Sequence, residues 1–148
     1  MISCDTNILF YSLNASCPEN KRARIFLESN SENEKFAICE LTLVELYVLL
    51  RNPKMNRHPA SAHEAVSIIH RFRTNPYWPV IDYPGSLMEE IWNHAGKSGS
   101  AYRSIFDARI AFTLLHHNVK EFATANVKDF KNFPFAKVWN PTAYTQLG

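Results

Sequence analysis

The opening run Met-Ile-Ser-Cys-Asp-Thr-Asn-Ile-Leu-Phe constrains the fold more than any other stretch. Its apolar residues are interrupted at one point by a carboxylate, Asp5, and two hydrogen-bonding neighbours, Thr6 and Asn7. A run of this kind suits the first, buried strand of a parallel sheet, ending at Asp5 with Thr6 and Asn7 turning the chain. Open α/β sheets bind their ligands outside the carboxyl ends of such strands. Asp5 fits a helix N-cap equally well, since its side chain accepts bonds from the free amides of a first turn.

The alternation continues along the chain. Cys17 to Asn30 spaces Ala23, Ile25, Phe26 and Leu27 among charges as a half-buried helix, and Phe36–Cys39 is a second short strand. Leu41 to Leu50 predicts a buried helix that Asn52-Pro53 stops, followed by a loop over Met55–Ala60. A third helix spans Ala62 to Phe72, and Trp78–Asp82 gives a third strand before the turn Tyr83-Pro84-Gly85. Leu87 to Ala95 forms a fourth helix, Gly96 to Ser100 is the most flexible composition, and Tyr102 to His117 is a fifth helix. Phe122–Ala125 and Ala136–Trp139 are the last strands. Strands alternating with helices predict an α/β fold with a parallel sheet of about five strands and right-handed crossovers. With 148 residues and no repeat or linker, a single domain over residues 1–148 is expected.

Composition narrows the setting. Cys4, Cys17 and Cys39 make an odd count with no CxxC pair, which suits a reducing cytoplasm. No apolar stretch approaches the ~18 residues of a membrane span. The net charge of +2 is too small to imply a polyanion partner by itself.

The polar residues gain meaning from that topology. Glu45 falls about one turn into the helix after the second strand, Asp107 one turn into the fifth helix, and Asn126 and Asp129 just beyond the fourth strand. Each has an ordinary account: Thr42-x-x-Glu45 and Ser104-x-x-Asp107 fit capping boxes, and Asn126-x-x-Asp129 a capped turn. Together, however, Asp5, Glu45 and Asp107 come from different elements and converge beside the first strand. Clustered carboxylates raise one another's pKa unless a cation neutralises them. Oxygen-only ligands select hard ions such as Mg²⁺ or Mn²⁺, which can activate water for attack on a phosphodiester. No His pairs with Cys or an acid at zinc spacing.

At these residues the chain resembles the PIN-domain ribonucleases, and within them the VapC-type toxins of toxin–antitoxin pairs. The matching segments are Ile2–Leu9, Leu41–Leu46, Phe106–Ala111 and Ala123–Phe130, in order and over nearly the whole length. The resemblance implies a PIN-like three-layer sandwich with sheet order 3-2-1-4-5, and Asp5, Glu45 and Asp107 as the catalytic, metal-binding acids. It also implies Mg²⁺-dependent (or Mn²⁺-dependent) endoribonuclease activity on structured RNA such as tRNA or rRNA, a homodimer, and silencing by a cognate antitoxin. Thr6 resembles the family's hydroxyl near the attacking water. Many members carry a fourth acid where this chain has Asn126, so a second metal position would rest on Asn126 or on Asp129 through water.

Other features complete the expectation. Arg103 lies one turn before Asp107, on its face, placed to pair with that acid or to approach substrate phosphate. Arg51, Lys54, Arg57, His58, Arg71 and Arg73 are the densest basic stretch, suited to an RNA backbone or to solvent. Phe133, Phe135, Trp139 and Tyr144 read as residues closing a core. Phe10, Tyr11, Leu13, Ile25, Phe26, Leu46, Tyr47 and Leu50 exceed what one buried face needs, which predicts an interface. Two other classes fit less well: a PIN fold with a weakened metal site serving as a binding module, and a phosphatase or receiver domain. The second lacks an Asp two residues after Asp5.

Overall fold

The computed structural model describes residues 1–97 and 99–144. Strand β1 (Ile2–Cys4) pairs in parallel with β4 (Glu121–Ala123), which pairs on its far side with β5 (Lys137–Trp139). Strands β2 (Ile38–Cys39) and β3 (Val80–Ile81) form a second parallel pair. One bridge, between Ile2 and Phe36, joins that pair to the free edge of β1. It is held by the Ile2 amide donating to Lys35 O at 2.8 Å and the Ala37 amide donating to Ile2 O at 2.9 Å. Hydrogen bonding therefore divides the expected sheet of five strands into three and two. The cause is length: β2 has two residues before a helix starts at Glu40, too few to extend the ladder past one bridge.

Helices α1 (Thr6–Leu13), α2 (Asn20–Ser29), α3 (Glu40–Arg51) and α4 (Ala62–Arg73) cover one side of these strands. Helices α5 (Met88–Ala95), α6 (Ser104–His116) and α7 (Val127–Phe130) cover the other. Alternate strand residues show the two faces: Phe36 and Ile38 join Ile8, Leu9 and Leu46 in one core, while Ala37 and Cys39 join Ile91, Ile110 and Leu114 in the other. Burial on both faces is what a parallel sheet requires. Complete burial of side chains such as Leu9, Leu46 or Ile110 stabilises the fold by roughly 1.5–3 kcal/mol each.

Several boundaries move inward from the sequence reading. The strand expected over Phe36–Cys39 is reduced to its last two residues, Trp78–Asp82 to Val80–Ile81, and Phe122–Ala125 shifts to Glu121–Ala123. The helix expected from Cys17 begins at Asn20, because the Asn20 amide bonds to Cys17 O and closes a turn around Pro18. Of the Gly96–Ser100 segment, Ser98 lies outside the described residues, as do residues 145–148 of the expected domain.

Three further expectations are corrected. The Thr42–Glu45 and Ser104–Asp107 spacings are not capping boxes: the N-cap positions are Cys39 and Arg103, and neither carries a side-chain cap. Of the four aromatic residues read as core, Phe133 is buried and Phe135 and Trp139 pack against the core, but Tyr144 is 83 % exposed. The apolar excess attributed to an interface is largely spent inside the chain. Phe10, Leu46 and Leu50 are buried, and Tyr11, Phe26 and Tyr47 pack on the core, which leaves Leu13 and Ile25 outside. Among the described residues, no helix is long and apolar enough to cross a membrane.

Candidate active site

The parallel register sets the site. Cys4 lies opposite Ala123, so the residues that follow, Asp5 and Thr124, leave the sheet side by side at the same rim. Both extend the ladder by one bond: the Asp5 amide donates to Ala123 O at 2.8 Å and the Thr124 amide to Trp139 O at 2.9 Å. Asp5 is also the N-cap of α1, accepting from the Thr6 amide at 2.8 Å through Oδ1. Its Oδ2 accepts from the Thr124 hydroxyl at 2.7 Å and from Asn7 Nδ2 at 3.4 Å. The cap reading and the site reading of Asp5 are thus compatible. The helix start fixes one oxygen and Thr124 fixes the other.

Glu45 reaches the same rim from the second turn of α3, where its Oε2 accepts from the Thr6 hydroxyl at 3.1 Å. That hydroxyl has one proton and also lies 3.2 Å from Thr42 O, so two acceptors compete for it. Asp107 comes from the first turn of α6 on the opposite layer, and Asp129 from α7. Burial is the main cause that raises the carboxyls of Asp5, Glu45 and Asp107, and neighbouring acids raise each further. For Asp107, pushed up to about 7, the contributing charges are Asp5, Asp129 and Glu45. For Asp5, buried and 7 % exposed, hydrogen bonds from Thr124 and Thr6 oppose the rise. Asp129 thus adds its charge to the surroundings of both Asp5 and Asp107.

Asn126, by contrast, is exposed, and its side chain makes no capping bond; its amide donates to Thr124 Oγ1 at 3.0 Å. Among the described residues, no three His, Cys, Asp or Glu side chains are drawn close enough to form a ready ligand set. Of the acids, Glu45 and Asp107 line one cavity, and Thr6 links Asp5 to Glu45. The chemistry of the donors still fits a hard divalent ion: every group is a carboxylate or hydroxyl oxygen, and no Lys or Arg pairs with these acids among the described residues.

Beside the acids opens a cavity of about 590 Å³ whose walls include Glu45, Asp107, Arg103, Val44, Val48 and Phe106. Arg103 shares this cavity with Asp107 but forms no ion pair with it among the described residues. Another cavity of about 590 Å³ holds Arg57, His58 and Arg71 but none of the four acids, so volume alone does not locate the site. Elsewhere in the basic stretch, Arg73 pairs with Glu40 at 3.1 Å and Arg51 donates to the Tyr47 hydroxyl at 2.9 Å. Those two side chains are engaged within the protein. The sequence alone assigns Thr124, within the segment Ala123–Phe130, no role. Its part depends on strand register, for which the sequence carries no local signal.

Residues 2–136 match the model of the PIN domain. The chain is 44 % identical over 141 residues to ribonuclease VapC24 of Mycobacterium tuberculosis, covering 95 % of this chain and 97 % of that protein. Among solved structures, VapC20 of Mycobacterium tuberculosis, described as a sarcin-ricin loop cleaving toxin, superposes with TM-score 0.69 at 18 % identity over 90 % of this chain and 96 % of that one. VapBC2 of Rickettsia felis, bound to a promoter DNA fragment, gives TM-score 0.65 at 23 % identity over 95 % and 98 %. FitAcB of Neisseria gonorrhoeae gives 0.62 at 21 % over 97 % and 100 %. At those identities the structures speak for the fold alone, whereas the family match and the 44 % relative span nearly the whole chain. With Asp5, Glu45 and Asp107 on one rim of that fold, the chain belongs to the PIN-domain family as a homologue of VapC ribonucleases.

Proposed function

We propose that this protein is a Mg²⁺- or Mn²⁺-dependent endoribonuclease toxin that hydrolyses phosphodiester bonds of structured RNA, tRNA or rRNA. The observation that carries the reading is geometric: Thr6 bonds Asp5 through its amide and Glu45 through its hydroxyl, and Glu45 and Asp107 line one cavity. Asp5, Glu45 and Asp107 would hold the ion, with Asp129 beside them. When bound, the divalent cation supplies positive charge that favours ionised water and offsets charge on the leaving oxygen. Thr124 and the Thr6 amide orient Asp5, and Thr6 Oγ1 orients Glu45. Arg103, free of an acid partner among the described residues, is placed on the cavity wall to meet a substrate phosphate. For the fourth position we favour Asp129 over Asn126, because the Asp129 charge reaches both Asp5 and Asp107.

Two further partners belong to this reading: a cognate antitoxin covering the acidic rim, and a second copy of the chain as a homodimer. Action in the cytoplasm fits both the RNA substrate and the free thiols Cys4, Cys17 and Cys39. The test is cleavage of total tRNA and rRNA. Wild-type protein with Mg²⁺ is expected to cut and chelator to stop it. Asp5→Asn, Glu45→Gln and Asp107→Asn should each lose at least about a hundredfold in rate, which is what removal of a metal-dependent transition-state interaction costs. Cleavage at the wild-type rate by any of the three removes that residue from the ligand set.

A further inference from the structure

A second cavity, of about 400 Å³, lies on the β5 side of the acidic rim, and Tyr11, Glu19, Arg22, Asn126, Asn140 and Tyr144 contribute to its walls. It connects to the acids through covalent neighbours and short bonds: Thr124 donates to Asp5 at 2.7 Å and accepts from the Asn126 amide at 3.0 Å. The Arg22 guanidinium lies 3.8 Å from the centre of the Tyr144 ring. That contact brings both groups together in the cavity wall, yet Tyr144 keeps 83 % of its surface in solvent. Arg22 forms no ion pair among the described residues, although Glu19 lines the same cavity. The amide groups add donors without charge. Asn140 uses its oxygen on the Thr142 amide and hydroxyl at 2.9 and 2.7 Å, and its nitrogen donates to nothing among the described residues.

A guanidinium without a carboxylate, an aromatic face open to solvent and two side-chain amides are the groups that single-stranded nucleic acid meets: charge for phosphate, stacking for a base, hydrogen bonds for its edge. The volume falls within the range of small-ligand pockets and is adequate for one nucleotide. We propose that this cavity is a nucleotide subsite beside the cleavage centre, with Arg22 on a phosphate and Tyr144 stacked against a base. The assignment rests on the ribonuclease reading and extends it to one side of the scissile bond.

Binding measured without cleavage separates the two. Fluorescein-labelled octauridylate and octaadenylate are titrated by anisotropy, without divalent metal, against the Asp5→Asn protein and against the same protein carrying Arg22→Gln, Tyr144→Ala or Tyr144→Phe. Arg22→Gln is expected to weaken binding at least about fivefold and to lower the slope of log affinity against log salt by about 0.7, the share of one phosphate on a single strand. Tyr144→Ala should weaken binding by a similar factor with the salt slope unchanged, and Tyr144→Phe should bind like its parent, because the ring does the stacking. Unchanged affinity and slope in both Arg22→Gln and Tyr144→Ala overturn the subsite, as does failure of the parent to bind either octamer at low salt. Loss of antitoxin binding with RNA binding intact would reassign the cavity to a protein partner and overturn it as well. A wild-type protein that cuts no RNA would sink the ribonuclease reading while leaving these binding outcomes interpretable.

Discussion

At the scale of single residues, the site is built by side chains that hold acids as much as by the acids. Thr124 is the clearest case: fully buried, it gives its proton to Asp5 Oδ2 and receives the Asn126 amide, so it ties the end of β1 to the loop after β4. Thr124→Val removes the donor while keeping the shape, and leaves both a buried carboxylate oxygen and an amide without that partner. Groups that orient metal ligands typically change metal affinity 10–100-fold, and about that loss of Mg²⁺ affinity is expected by calorimetry. Thr124→Ser should restore it, and wild-type affinity in the valine variant would show that Asp5 needs no such support. The three acids were legible because each sits at or near the start of an element, Asp5 directly after a strand and Glu45 and Asp107 within the first two turns of a helix, a placement that survives errors of two residues in the boundaries. Thr124 was not. Its partnership depends on Cys4 facing Ala123 rather than a neighbour, and a slip of one residue would turn the hydroxyl away. Asp129 fits a capped turn in the sequence and is exposed, yet its charge reaches Asp5 and Asp107.

At the scale of elements, helices were easier to read than strands. Helix α3 shows Leu43, Leu46 and Leu50 at helical spacing, all buried, and helix α6 does the same with Ala111 and Leu114. Strands of two or three residues carry too little alternation to fix their ends, which is why β2 and β3 were overdrawn and the break in the sheet went unforeseen. The helices also leave an exposed apolar face beside the site. The apolar residues expected there are mostly core, whereas Val44, Val48 and Phe106, all more than half exposed, stand on α3 and α6 around the cavity that holds Glu45 and Asp107. An apolar wall next to a charged rim suits an antitoxin segment that covers both. Val48→Asp is therefore expected to leave melting within about 0.5 kcal/mol, as exposed substitutions do. It should also raise the antitoxin concentration needed for half-inhibition of RNA cleavage by about tenfold or more, the cost of losing a central contact. Light scattering of the same variant distinguishes the occupants: loss of a homodimer with antitoxin inhibition unchanged would assign this face to the second copy instead.

For the whole molecule, the acids of two layers meet at one rim, and folding must bring them together. Asp107 ordinarily titrates near 3.8 and stands at about 7 in the folded chain, chiefly through burial and then through Asp5, Asp129 and Glu45. Between those two values the native state holds a proton that the unfolded chain has released, so stability falls as pH rises through this window. Burial raises Asp5 and Glu45 in the same direction. Below about pH 4 the penalty from Asp107 is absent, and above about pH 7 it is fully present. Because Asp107 is only half-buried, solvent screening reduces the expected cost to about 1–2 kcal/mol. Metal-free protein should accordingly melt at a lower temperature at pH 8 than at pH 5, and Asp107→Asn should flatten that dependence by removing one of the raised site acids. A divalent cation that needs ionised carboxylates acts in the opposite sense: Mg²⁺ should raise the melting temperature more at pH 8 than at pH 5 and release protons as it binds near neutrality. Calorimetry in buffers of different ionisation heat counts those protons. A pH profile of stability that is the same for Asp107→Asn and wild type, or a Mg²⁺ stabilisation equal at the two pH values, would show that this rim does not couple proton and cation.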